Sequence, residues 1–418
     1  MLQNTINLYK DAYTGLTREI WLLSFISLIN RAGAMVFPFM TIYLTQARGF
    51  SLKEAGIIMS FFGLGSVLGT YIGGWLTDRI GDYKVQFWSL IATSTVLLFV
   101  LRAETFWGIS FMAFLLSVVA DAFRPANKVA VANYSQPENV TRSFALLRLS
   151  INLGFAIGPA MGGILAAWKG YDWLFYADAV TCLLAAIIFR LTLKDDFKSA
   201  KTTTKSKAAQ KALKSTHSPY KDHHFLYFLL IIGLLAFAFL QLFYTIPVFF
   251  KQSLGLDEGQ IGGYLALNGV IIVLLEMPLV YLAERNMTPF KIMKIGAILI
   301  GVGFLCFLLP LKLVGLIAAL GIIILTLGEI YYMPFASAWV ATRSKAENRG
   351  QYMALYSIAW STASIVAPAS GFFLIENIGF DGLWIILSAI GLLGGLSFWI
   401  LGKRVEASKK IANTPFNR

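Results

Sequence analysis

Charged side chains are scarce in this sequence: Asp, Glu, Lys and Arg make up 14% of its 418 residues, whereas hydrophobic residues make up 57%. Soluble domains carry about 25% charged residues, so a chain this long has too little polar surface to cover itself in water. A soluble globular protein is excluded. Cysteine is nearly absent: Cys182 and Cys306 are the only two, in apolar stretches far apart. That pattern excludes a disulfide framework and a thiolate metal site, and leaves two small buried hydrophobes. The three His (His217, His223, His224) cluster without Cys or a rigid helical spacing, so no metal site is read there. The stretch to Thr17 lacks the apolar core and small-residue cleavage site of a removable signal. No nucleotide-binding loop occurs either, so the energy for any work must come from an ion gradient or from the substrate's own. No catalytic constellation, cofactor or metal is expected, and the chain does not read as an enzyme.

What the sequence does have is long apolar runs. Twelve can be marked off, at 20–46, 55–77, 85–101, 106–133, 143–168, 173–193, 225–250, 259–283, 290–309, 313–341, 352–375 and 384–401. Each approaches the length of about 20 residues that a helix needs to cross a hydrocarbon core of about 30 Å. The expected fold class is therefore an all-α integral membrane protein with twelve transmembrane helices. Net charge is +13, which in a soluble protein would raise nucleic acid as a partner. The distribution of the 35 basic residues answers otherwise. If the first segment starts inside, Arg48, Lys53, Arg102, Lys169, Lys251 and Lys312 fall on the outer side and Arg31, Arg124, Lys128 and Arg148 fall within helices. The remainder face inward, a positive-inside bias that places both termini in the cytoplasm of a cell inner (plasma) membrane protein. Lipid is the expected surroundings, and nucleic acid is not an expected partner.

The one long polar stretch, 194–224, holds eight Lys and three Asp and reads as a cytoplasmic linker. It divides the chain into a six-helix bundle at 1–193, the linker, a second bundle at 225–402 and a cytoplasmic tail at 403–418. The halves are related. Pro38 and Pro247, Pro125 and Pro334, and Pro159 and Pro368 are each 209 positions apart, in segments one and seven, four and ten, five and eleven. Three coincidences at one offset indicate two six-helix repeats of the same orientation, and such proteins place substrate between the repeats near mid-membrane. Proline is tolerated mid-membrane only where neighbours restore the lost bonding. Segments three, six, nine and twelve lack it and are expected to be outer supports.

Between segments two and three runs Gly73-Gly74-Trp75-Leu76-Thr77-Asp78-Arg79-Ile80-Gly81-Asp82-Tyr83-Lys84. Its pattern Gly-x-x-x-Asp-Arg-x-Gly, carried by Gly74, Asp78, Arg79 and Gly81, resembles the signature loop of the major facilitator superfamily. Where that family usually has a basic pair, Asp82 and Tyr83 stand here and the positive charge comes at Lys84. In segment five, Gly154-Phe155-Ala156-Ile157-Gly158-Pro159-Ala160-Met161-Gly162-Gly163 is similar to the antiporter motif of the same superfamily, in its drug/proton antiporter branch. The resemblance implies proton-driven export. The residues themselves, Gly154, Gly158, Pro159, Gly162 and Gly163, imply helices that approach closely. The resemblance also implies that Asp78 joins Arg124, Arg142 and Arg148 in a charge network closing the inner gate.

A charge at mid-bilayer costs about 2.5 to 3.5 kcal/mol, so Asp121, Glu329 and Glu276 need explaining. Asp121 and Glu329 occupy near-equivalent places in segments four and ten. Asp121 has Arg124 one turn on, which makes an internal ion pair an alternative to proton carriage. Glu329 and Glu276 have no basic residue within a turn and are proton-coupling candidates. Glu276 could instead bond the backbone freed by Pro278, or pair across helices. Arg31, after Asn30, could bind an anionic group or neutralise an acid. Gln241, Phe243, Tyr244, Tyr331, Tyr332 and Trp360 are candidate lining residues. The expected function is an alternating-access secondary transporter, a proton-coupled exporter of amphiphilic drug-like molecules acting as a monomer. A proton-coupled importer is the alternative: Ile-Asn-Leu-Gly (151–154), Tyr-Leu-Thr-Gln (43–46) and Gly-Asp-Tyr-Lys (81–84) resemble peptide transporters. Against it, Ile29-Asn30-Arg31-Ala32-Gly33 lacks the two Glu that those transporters carry before the Arg. A non-transporting receptor or scaffold would tolerate loss of the embedded charges.

Overall fold

The computed structural model describes residues 2–193, 218–256, 258–309 and 314–413. Among these there are helices and turns and no strand. In chain order the helices are α1 (Leu2–Tyr13), α2 (Arg18–Gly33), α3 (Val36–Ile42), α4 (Leu52–Ile80), α5 (Asp82–Val100), α6 (Phe106–Asp121), α7 (Phe123–Tyr134), α8 (Val140–Lys169), α9 (Asp172–Thr192), α10 (His223–Tyr244), α11 (Ile246–Gln252), α12 (Glu258–Asn286), α13 (Pro289–Leu305), α14 (Val314–Arg343) and α15 (Arg349–Asn413). Eleven spans among the described residues are long and apolar enough to cross a membrane, and the last, Arg349–Ala407, runs to 59 residues. It breaks at Gly379, where φ is 73° and ψ is 177°, backbone that glycine adopts readily and other residues do not. The expected segments 352–375 and 384–401 lie on either side of that break, so twelve apolar segments and eleven spans describe the same chain. Most of the expected linker, 194–217, and the tail from 414 lie outside the described residues.

The chain falls into two compact units. The first takes Gly15–Thr216 together with Ala341–Ser361, and the second takes Met1–Thr14, His217–Val340 and Thr362–Arg418. The C-terminal end of α14 and the start of α15 thus group with the first unit.

In the first unit the segment at 20–46 is not one helix. α2 stops at Gly33, α3 begins at Val36, and a wide turn over Tyr43–Ala47 follows. Pro38 sits in the opening turn of α3, where a missing N–H costs least. The break leaves the Val36 amide without a partner in its own helix, and Asp178 on α9 accepts from it at 3.4 Å. Gly65, Gly69 and Gly73 form a stripe on α4, where a Cβ would run into the backbone of α6 or its extension at Phe114, Val118 and Ala122. Close backbone approach of this kind is how helices associate without a hydrophobic driving force between them.

The second unit repeats the broken helix. α10 ends at Tyr244 and α11 starts at Ile246 with Pro247 in its first turn, so the first matched proline pair marks a discontinuity in both repeats. The core of this unit is aromatic: Trp384, fully buried, stacks on Phe304 at 5.7 Å and 16° and packs against Phe249, Phe307 and Phe380. Gly301 and Gly391 meet backbone to backbone, which binds α13 to the final stretch of α15.

The N-terminal helix α1 lies against α12. Pro278 within α12 has no N–H to offer the carbonyl four residues back, which is Leu274. The Tyr9 hydroxyl donates to that carbonyl at 2.5 Å. Tyr9→Phe removes this donor and should weaken α1 docking by about 0.5 to 1.5 kcal/mol. Amide exchange across residues 7–13 is expected to quicken several-fold, with α13 unchanged; unaltered protection of α1 would contradict the assignment.

Candidate functional site

Each unit carries a polar cluster at membrane depth. In the first, α2 and α7 are registered by Asn127, whose Nδ2 donates to Ser27 Oγ at 2.9 Å. One turn along α2 stands Arg31, close enough to Arg124, Asp121 and Asp178 for their charges to act on it. Its guanidinium lies 5.3 Å from the Phe155 ring centre. Arg124 Nε is 2.8 Å from Asp121 Oδ1, and Ser117 Oγ donates to the other carboxylate oxygen at 3.3 Å. Of the two readings of Asp121, the internal ion pair is the arrangement present. Lys128 Nζ donates to Ser357 Oγ at 2.9 Å and sits 4.5 Å from the Tyr356 ring centre. Asn30 Nδ2 lies 3.7 Å from Cys182 Sγ.

The segment-five glycines explain how Arg31 fits. A Cβ on Gly154 would strike the Arg31 side-chain base, one on Gly158 would crowd the carbonyls of Arg31 and Ala32, and one on Gly162 would crowd Met35 and Phe39. Gly163 has a looser contact with Phe39 at 3.6 Å. Pro159, half-buried, falls between the glycines inside the continuous α8. Close helix packing, the physical reading of the motif, is what α8 provides.

At the end of α4, Asp78 accepts from the backbone amides of Gly350 at 2.7 Å and Gln351 at 3.0 Å. These are unsatisfied donors in the first turn of α15, and a carboxylate there also meets the positive end of the helix dipole. Gly74 permits the approach, since a Cβ would overlap Ala354 and the Gly350 carbonyl. Arg79 folds back over the Trp75 ring at 3.8 Å. Gly81, with φ of 94°, makes the turn into α5, whose first turn contains Lys84. Asp82 accepts from Asn133 at 3.3 Å, and Asn133 accepts from Arg349 at 2.5 Å.

Backbone amides of α15 are thus the hydrogen-bond donors described for Asp78. Arg124 is taken by Asp121, and Arg142 donates to Asn139, whose amide holds the Gly15 carbonyl at 2.6 Å. Arg148 is half-buried on α8.

In the second unit Glu329 on α14 is 3% exposed. Asn268 on α12 donates to it at 3.0 Å and also to Thr326 Oγ1 at 2.9 Å. Glu276, fully buried, lies two turns along α12 from Asn268. Tyr13 on α1 feels its charge: burial first, and then Glu276, push the Tyr13 phenol above its usual pKa. Gln241 and Tyr332 are fully buried. Gln241 donates to the Ala367 carbonyl at 2.9 Å in space left by Gly371. Tyr244, Tyr331 and Trp360 are half-buried, and Phe243 is 52% exposed.

Sequence reasoning missed Asp178, Asn268 and Lys128 as site members. Asp178 had the same signal as the other acids, a carboxylate inside an apolar run. Asn268 is neutral and stands out only once Glu329 is seen beside it.

Asp78→Asn keeps one acceptor and loses the anion. It should preserve insertion, speed amide exchange at Gly350 and Gln351 by an amount on the order of 1.5 to 3 kcal/mol, and slow turnover. Wild-type exchange with normal transport would refute the capping role.

A family model for the Major Facilitator Superfamily matches residues 20–334 and 291–417. A Na(+), Li(+), K(+)/H(+) antiporter of Planococcus maritimus is 25% identical over 413 residues, covering 91% of this chain and 95% of that protein. The multi-drug resistance efflux pump PmrA of Streptococcus pneumoniae is 27% identical over 193 residues, covering 44% of this chain and 47% of the pump. Among solved structures, the transporter FucP of E. coli in its outward conformation superposes with a TM-score of 0.73 at 14% identity, covering 92% of this chain and 99% of that one. With twelve apolar segments, a matched pair of broken helices and a family model spanning nearly the whole sequence, this multi-pass membrane chain belongs to the major facilitator superfamily.

Proposed function

We propose that the chain is a secondary active transporter that exports amphiphilic, drug-like small molecules in exchange for protons. It works by alternating access as a monomer in the plasma membrane, with both termini in the cytoplasm. The observation that carries this reading is Glu329, an acid 3% exposed within a membrane-spanning helix and bonded to Asn268 of a second helix. A carboxyl so placed can take up or release one proton per cycle, and the change in its charge alters how α12 and α14 meet. Glu276, eight residues along α12 from Asn268, is a second proton-coupling candidate. Asp121, held by Arg124, is better placed to position Arg124 than to carry a proton. The discontinuous first helix of each repeat supports a substrate path, since broken helices at matching positions are where transporters of this build bind cargo. The glycine face of α8 supports motion between closely packed helices. The antiporter from Planococcus maritimus, similar along most of the chain, agrees with exchange against protons, and the partial match to PmrA agrees with drug-like cargo.

The test uses purified full-length protein in liposomes with an imposed pH gradient and a fluorescent amphiphilic dye. Dye should move against the proton flow, and Glu329→Gln should abolish the gradient-driven component while leaving gradient-independent exchange measurable. Dye or peptide moving together with protons would establish import instead. Gradient-driven transport undiminished in Glu329→Gln would remove Glu329 from the mechanism.

A further inference from the structure

The first unit holds more embedded positive charge than its acids balance. Arg31, Arg124 and Lys128 lie within electrostatic reach of one another, on two helices registered by the bond from Asn127 to Ser27. Two acids accompany them. Asp121 is committed to Arg124, and Asp178 accepts the Val36 amide. Neither Arg31 nor Lys128 has a carboxylate within ion-pair distance among the described residues. Arg31, with five N–H donors, has a ring face for company, and Lys128 has one hydroxyl and a ring.

Within this cluster, Arg31, Arg124 and Lys128 against Asp121 and Asp178 leave one positive charge in excess, and a charge at such depth costs about 2.5 to 3.5 kcal/mol. Burial of this kind is sustained when an anion completes it. The place is reachable, since the Arg124 side chain is 36% exposed and Phe155, under Arg31, is 49% exposed. A planar guanidinium with free donors matches the paired oxygens of a carboxylate or sulfonate, and the open Phe155 ring offers an apolar surface beside it.

We infer that Arg31 and Lys128 form the recognition site for the head group of an amphiphilic organic monoanion, a carboxylate or sulfonate whose apolar body lies along Phe155. This inference rests on the transporter reading above and names its substrate class: cargo is selected for negative charge, and lipophilic cations are disfavoured.

Three probes with one fluorescent body separate the possibilities: dansylglycine, an anion; its methyl ester, which is neutral; and dansylcadaverine, a cation. Binding to the purified protein in zwitterionic nanodiscs should rank anion above ester above cation. Arg31→Gln and Lys128→Gln should each weaken dansylglycine binding about tenfold or more, the effect of losing one charge-assisted bond, and leave the ester unchanged. Arg31→Lys, which keeps charge but not the paired donors, should recover part of the loss. Equal affinity for all three probes, or preference for the cation, overturns the inference, and wild-type protein alone decides that. Anion preference that survives both Gln variants also overturns it. Proton-driven movement of the ester or the cation, dependent on Glu329, with no anion preference would leave the exporter standing and remove the anion site. Selective binding of dansylglycine with no proton-driven movement of any probe would do the reverse.

Discussion

The structure depends on one constraint: a backbone N–H or C=O released inside the membrane must find a partner there, because no water is available to replace it. Helix breaks and prolines release such groups, and polar side chains from other helices meet them. Asp178 takes the Val36 amide where α2 gives way to α3. Tyr9 reaches the Leu274 carbonyl that Pro278 cannot use. Just beyond the apolar segments, Asp78 likewise takes two amides from the first turn of α15. In each case the side chain sits on a different element from the backbone it satisfies, so local irregularity becomes long-range attachment.

The same constraint separates the two polar clusters in character. In the first unit the acids are occupied, Asp121 by Arg124 and Asp178 by backbone, and what remains over is positive. In the second unit the embedded ionisable groups Glu276 and Glu329 are acidic, and Asn268 and Thr326 are the neutral partners beside Glu329. Of the two clusters, one is thus mainly basic and the other acidic. On the reading proposed here, one recognises the cargo's charge and the other handles the proton.

Much of the fold was legible in the sequence because hydropathy is a property of runs. A stretch such as 225–250 must span whatever its neighbours do, and prolines at a common offset reveal duplication without any contact being known. The offset even located the broken helices, since Pro38 and Pro247 both begin the second piece. What stayed hidden depended on pairing across the chain. The bonds from Gly350 and Gln351 to Asp78 were part of this, because charges are visible in sequence whereas backbone amides belong to every residue alike. The full burial of Gln241 and Tyr332 was another part, because residue type alone does not show it. Asn268 is a neutral residue whose role exists only beside Glu329, and α1 is too short and polar to announce that it docks on α12.

The measurement that bears most directly on the backbone constraint is the thermal stability of two Asp178 variants in lipid nanodiscs. Asp178→Asn loses the charge but keeps an acceptor for the Val36 amide, and so serves as the reference for the acceptor alone. Asp178→Leu keeps the branched shape, loses both charge and acceptor, and should be less stable than Asp178→Asn by about 1 to 3 kcal/mol, with faster exchange at Val36. Equal stability of the Leu and Asn variants, with Val36 still protected, would contradict the account.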